Sequence, residues 1–291
     1  MASLKEVKTR IASVNSTRKI TSAMKMVASS KLHRAQQAIE RMRPYERQLG
    51  RIMSTFVCNM SGELDSPYAA VREVKRVAIV FYTSNSSLCG GFNANAVKAF
   101  LRKVEAYRAA GVEVARVYPF GRKAAEAAAK AGFDGVGDYA PLLDHPAYAP
   151  TAAVAEEIMG LYASGQIDAA DLVYHHFKSA GSQVLTEEKF LPVSLEGTVQ
   201  ESRGGQQLDF IVEPSVDEVV RQLIPKSLHL KLFTALLDSL ASEHAARVVA
   251  MQTATDNADD LLRELTLTYN KTRQQAITNE LLDIVAGSAQ N

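Results

Sequence analysis

The chain has 291 residues, of which 47% are hydrophobic and 22% charged, with a formal net charge of +1. That balance excludes wholesale disorder and allows one large domain or two ordinary ones. The longest apolar run, Val77 to Tyr82, is about six residues against the roughly 20 that cross a bilayer. Two cysteines, Cys58 and Cys89, are too few for a disulfide framework and lack metal-ligand spacing, so both are expected to be reduced. The N-terminus has no apolar signal-peptide core, which points to the cytoplasm.

The small net charge conceals an asymmetry. Residues 1–51 carry twelve Lys or Arg and three Glu, whereas residues 207–291 carry seven basic and twelve acidic groups. A basic N-terminal segment can bind nucleic acid or membrane. Here the opposite excess at the other end favours mutual neutralisation of two helical ends.

The first segment reads as helix over residues 3–58. Met24, Ala28, Lys31, Ala35, Ala38, Met42, Tyr45, Leu49, Ile52 and Phe56 alternate steps of four and three, a heptad seam that is apolar except at Lys31. Leu4, Val7, Ile11 and Val14 form a similar stripe, with a phase slip expected near Thr17. Ser3 with Glu6 makes a capping box, and Pro44 is the one breaker. Such a helix is on the order of 80 Å long.

The middle of the chain changes period. Arg76–Thr83, Val112–Phe120, Asp171–Lys178, Val184–Val193 and Leu208–Val212 read as strands. Helical stretches at Asn93–Ala110, Arg122–Ala131 and Thr151–Ala163 lie between them. Ser61–Ser66 and Glu196–Gln206 read as polar linkers. Alternating strands and helices predict a Rossmann-like α/β domain with a mostly parallel sheet.

The last segment repeats the helical pattern. Leu230, Phe233, Leu237, Leu240, His244, Arg247, Met251, Ala254, Ala258, Leu261, Leu265, Thr268 and Thr272 alternate three and four, growing small and polar toward the end. Val216–Ile224 already reads as helix, with a bend expected at Pro225 and a stop at Gly287. Propensity alone does not stabilise isolated helices of this length, so each needs a partner along its seam. The predicted fold is therefore α/β plus long helices: an antiparallel coiled coil of the N- and C-terminal helices with an inserted Rossmann-like α/β domain. Its parts are an N-terminal helix at 1–60, the α/β domain at 72–212 and a C-terminal helix at 213–291.

Catalytic signals are weak. Cys89 lies between a strand and a helix, where a helix N-terminus can stabilise a thiolate. A nucleophile there needs a base, and the sequence fixes neither His175 nor His176 in that role. Packing in a turn is the simpler reading. Gly90-Gly91 lacks both the GxGxxG and Walker patterns, so no nucleotide site is assigned. His175 and His176 are adjacent on a strand, face opposite ways and cannot chelate one metal; one is expected in the core and one at the surface. No catalytic, cofactor or metal residue is assigned. Asp256, Asn257, Asp259 and Asp260 form an acidic run, read as a solvated face that could also lie near the basic first helix.

Three stretches carry a resemblance: TRKITSAMKMVASSKLHRA at Thr17–Ala35, LCGGFN at Leu88–Asn93, and Ala241–Ser288, beginning ASEHAARVVAMQTATDNADD. In these the chain resembles the gamma subunits of bacterial F-type ATP synthases, with the motifs in the expected order. The resemblance implies a non-catalytic central rotor shaft that couples proton flow to ATP synthesis and hydrolysis. The implied partners are three alpha and three beta subunits holding the nucleotides and Mg, the epsilon subunit and the membrane c-ring. The implied location is peripheral, on the cytoplasmic face of the inner membrane.

The resemblance also places Met24, Lys25, Arg247, Gln274 and Thr278 where the family's shaft meets the alpha/beta ring, with Lys19, Ile20 and Thr21 one turn earlier. Met24 and Arg247 also fall on the seam, so packing competes with contact there. One departure stands out. Before the LCG turn the family usually carries an Asp and an Arg-Gly pair, where this chain has Ser84-Asn85-Ser86-Ser87, so any role of those charges does not transfer. The chloroplast-type insertion with its cysteine pair is also missing, and thiol regulation is not implied.

Overall fold

The computed structural model describes residues 3–59, 66–133, 137–193 and 216–288. Its elements in chain order are α1 (Leu4–Asn59), β1 (Arg76–Tyr82), α2 (Phe92–Ala109), β2 (Glu113–Phe120), α3 (Arg122–Lys130), α4 (Pro141–Asp144), α5 (Tyr148–Ala163), β3 (Ala169–Ser179), β4 (Ser182–Leu191) and α6 (Val216–Ser288). The long terminal helices and the central sheet agree with the predicted fold class. The predicted linkers fall almost wholly outside the described residues, as does the predicted strand Leu208–Val212. Pro44 and Pro225 both lie inside continuous helix.

The chain divides into two compact units, one of residues 1–29 with 247–291 and one of residues 30–246. The larger unit is built on a four-stranded sheet of order β2-β1-β3-β4. β1 runs parallel to both β2 and β3, and β3 pairs antiparallel with β4. A strand between two parallel neighbours has helices on both faces, which explains the unbroken apolar run Val77–Tyr82. Ala78, Val80 and Tyr82 face α5 and the early part of α6, joining Ile158, Tyr162, Leu232 and Leu236 in the main core. Ile79 and Phe81 face α2 and α3, where the Phe81 ring stacks on Phe100 with centroids 4.0 Å apart.

Charge inside this unit is paired. Asp171, 1% exposed on β3, binds Lys103 Nζ at 3.1 Å and accepts a hydrogen bond from the Tyr107 hydroxyl. The sequence reading began this strand at Asp171, yet pairing begins at Ala169. A carboxylate is tolerated mid-strand because α2 brings a cation to it.

In the smaller unit the first and last helical segments run antiparallel. Ser3 Oγ accepts the Glu6 N–H at 3.2 Å, the forward half of the expected capping box. Beside half-buried Asn15, Ser22 and Met24, the seam of α1 in this unit is Leu4, Val7, Ile11, Val14, Arg18, Thr21, Lys25 and Ala28. Their steps alternate three and four throughout, so the phase slip expected near Thr17 is not needed. Within the larger unit the stripe continues at Leu32, Ala35, Ile39 and Met42. Two expected seam positions are corrected: Lys31 and Tyr45 are exposed, and Leu32 takes the buried place, against Ala241 and Ala245. Alanines on both sides made the two phases equally plausible in sequence.

Candidate functional site

Two places could carry function: the turn after β1 and the helix pair of the smaller unit. At the turn, β1 is followed by Thr83, whose N–H binds Phe120 O at 2.8 Å. Asn93, in the first turn of α2, then ties the loop together. Its Oδ1 accepts the Ser84 N–H at 2.9 Å, and its Nδ2 donates to Ser86 O at 3.3 Å and to Cys89 Sγ at 3.2 Å. Gly90 takes a left-handed φ of 60°, but Gly91 does not; the second left-handed residue is Leu88. Cys89 is 1% exposed and its sulfur sits among Asn93, Ser84 Oγ and Ser86 O, the surroundings of a packed thiol.

Asn85 lies in the run where the resemblance expects charged residues. Its Nδ2 donates to Ala140 O at 2.9 Å, and its Oδ1 accepts the Arg122 N–H at the start of α3 at 3.1 Å. An ionised Asp could make only the second bond, since a carboxylate has no donor. Gly121 between β2 and α3 is needed for space as well as for its φ of 108°, because a Cβ there would lie 2.8 Å from Thr83 O. This turn is a structural hub.

The two histidines separate as expected. His175 is 3% exposed, packs at a tilt on Phe92 with centroids 4.4 Å apart, and its Nδ1 has no hydrogen-bond partner among the described residues. Burial pushes its pKa down to about 4. His176 points to a cleft in the larger unit, where its Nδ1 lies 2.5 Å from Asp238. Burial raises the Asp238 carboxyl, with His176 opposing the shift; burial likewise raises Glu46, across the cleft, where Asp238 adds to the shift. Among the described residues no group of three His, Cys, Asp or Glu is placed to hold a metal ion.

The helix pair has a different character. Three polar pairs cross it: Arg18 Nη1 to Asp259 Oδ1, Thr21 Oγ1 to Thr255 Oγ1, and Lys25 Nζ to Gln252 Oε1, each at 2.8 Å. Sequence reading missed all three, although it weighed the acidic run lying near the basic helix. Met24 and Lys25 are half-buried and Arg247 is 8% exposed on the seam. Gln274 and Thr278 are exposed, one turn apart, with Thr278 Oγ1 donating to Gln274 O at 2.9 Å.

Around those two residues exposed apolar side chains alternate with polar ones such as Asn270 and Lys271. Leu267, Ile277, Leu281, Ile284 and Val285 are between 49% and 71% exposed. At about 100° per residue, Leu267, Gln274, Thr278, Leu281 and Val285 share one face of α6. The buried and half-buried positions Leu265, Tyr269, Thr272 and Ala276 lie on roughly the opposite face. On α1, Ile20 and Val27 are likewise exposed and one heptad apart. The pair therefore leaves an apolar stripe, interrupted by exposed Lys271, Gln274 and Thr278, outside the seam that joins it, and exposed apolar side chains of this kind mark contact with other chains.

Comparison with known proteins decides the family. The family model described as ATP synthase matches residues 3–290. The ATP synthase gamma chain of Phocaeicola vulgatus is 57% identical over 288 residues, covering 99% of both chains. The chain belongs to the ATP synthase gamma chain family. The gamma chain of Flavobacterium johnsoniae is 43% identical, covering 99% of this chain and 98% of its own. A solved mitochondrial ATP synthase from Euglena gracilis, described as OSCP/F1/c-ring in rotational state 3, contains a chain of the same fold, with TM-score 0.65 and 22% identity over 98% of this chain and 93% of that one. A gamma chain is a non-catalytic subunit, a central-stalk rotor component rather than a nucleotide-hydrolysing one. That role accords with a Cys89 turn engaged in packing. Among the described residues no helix is long and apolar enough to cross a membrane.

Proposed function

We propose that the chain turns as a shaft inside a ring of three alpha and three beta subunits, coupling proton flow through a membrane c-ring to ATP synthesis and hydrolysis. The nucleotide and Mg sit on the ring, and the shaft itself holds no cofactor. Met24, Lys25, Arg247, Gln274 and Thr278 meet the ring, and the α/β domain neighbours the epsilon subunit and the c-ring at the cytoplasmic face of the membrane. The observation that carries this reading is the exposed stripe of apolar side chains around Gln274 and Thr278 on α6.

The physics is differential contact. A helix pair whose faces differ presents a different surface to each beta subunit as it turns. Each catalytic site is then biased among states of unequal nucleotide affinity, and ligand affinity and shaft angle are linked reciprocally. Covering each stripe residue is worth about 1–2 kcal/mol, so a partner surface gains several contacts along one line. A sharp test is Leu261→Pro, which breaks α6 within the pair at a cost of about 3 kcal/mol. In the assembled complex ATP hydrolysis should continue while proton pumping is lost. Normal coupled pumping would contradict the proposal.

A further inference from the structure

The three polar pairs advance in step: α1 moves three residues and then four, while α6 moves back four and then three. That is the complementary stepping of two antiparallel heptad seams, and here the seam is held by hydrogen bonds where an apolar seam would use side-chain bulk. Thr21 is 9% exposed, and its hydroxyl lies between the Arg18 carbonyl at 3.0 Å and Thr255 Oγ1. The neighbours on the seam include Ala28 and Ala258, which interlock weakly because they are small.

We propose that Arg18–Asp259, Thr21–Thr255 and Lys25–Gln252 form a register lock that prevents the two shaft helices from sliding along one another. The proposal rests on the shaft reading for its consequence, because register fixes the level of Met24 and Lys25 against Arg247. The alternatives to the native register are unfavourable at the middle pair. A slip of one heptad sets Thr21 at the level of Val248 or Leu262, replacing its hydrogen bond to Thr255 with an alkyl contact and leaving its hydroxyl only the Arg18 carbonyl. The same slips set Arg18 against Gln252 or Thr266, without a carboxylate. In one direction Lys25 would gain Asp259, so a single ion pair cannot specify the register; the three pairs together do. Buried polar groups that specify register at some cost in stability are a known use of such contacts.

The test maps register by disulfide trapping in the complete complex of this chain with alpha and beta subunits, with Cys58 and Cys89 replaced by Ser. Extending the observed pairing sets Val14 at the level of Leu262. Val14→Cys with Leu262→Cys therefore reports the native register. Val14→Cys with Tyr269→Cys, and Val7→Cys with Leu262→Cys, report slips of one heptad in the two directions.

With the lock intact, only the native pair should cross-link. With Arg18→Leu, Thr21→Val, Thr255→Val and Asp259→Leu combined, cross-linking should shift to a slipped pair, and Thr21→Ser with Thr255→Ser should keep it native. Native-only cross-linking in the apolar variant would overturn the lock. A shift in cross-linking with coupled pumping unchanged would uphold the lock and overturn the shaft reading, so the two failures are distinguishable.

Discussion

The sheet unit and the helix pair solve the burial problem in opposite ways. In the sheet unit β1 is buried on both faces, and the largest fully buried side chains, including Tyr82, Tyr162, Phe81 and Phe100, all lie there. The helix pair buries one narrow seam and leaves Ile20, Val27, Leu267, Leu281 and Ile284 exposed. The first has a core of its own. The second leaves apolar side chains uncovered, and that difference separates a folding unit from a surface suited to other chains.

Variants that strike each region should therefore fail differently. The largest loss is expected from Phe81→Ala, which removes a ring stacked on Phe100 inside the sheet unit. Denaturant unfolding should show about 3–5 kcal/mol lost, with hydrogen exchange accelerating across β1 and β3.

Next comes the buried histidine of the same unit. The folded-state pKa of His175 is about 4, below its ordinary value of 6.5. The folded state therefore binds fewer protons, so stability is fully present above pH 6.5 and is lost as pH falls toward 4. The difference amounts to roughly 3 kcal/mol. Glu46 and Asp238, whose carboxyls are raised, contribute with the opposite sign. Comparing the parent with His175→Phe isolates the histidine: the variant should lose this part of the acid sensitivity, and an unchanged pH profile would show that His175 protonates freely in place.

The smallest effect on folding belongs to the stripe. Leu281→Asp should change stability by no more than about 0.5 kcal/mol, as for other exposed positions. Its assembly with alpha and beta subunits should nevertheless weaken, as measured by co-purification. If it unfolded the chain instead, the contrast between the regions would collapse.

Much of this architecture was legible in the sequence because period and length are strong signals. The change from a 3.5-residue repeat to a six-residue apolar run marked where helix gives way to sheet, and β1 and β2 were found within a residue. The register of the first helix was less legible. Ala28, Ala35 and Ala38 suit either neighbouring phase, so choosing Leu32 over Lys31 needed the partner helix.

At the candidate site, motif resemblance selected Gln274 and Thr278, but not the apolar face on which they stand. That face appears only once the seam side of α6 is known. The Arg18 and Thr21 pairings were equally hidden, since their partners lie more than 230 residues away. Asn85 stood out as a departure, and its bonds to Ala140 and Arg122 explain how the turn holds without the usual charges.

The most direct measurement is thiol labelling of Leu281→Cys, with Cys58 and Cys89 replaced by Ser, in the free chain and in its complex with alpha and beta subunits. A Lys98→Cys variant on the exposed side of α2 serves as control. The account predicts that position 281 reacts readily in the free chain and is protected in the complex, while position 98 reacts in both. Equal labelling of position 281 in both states would contradict it.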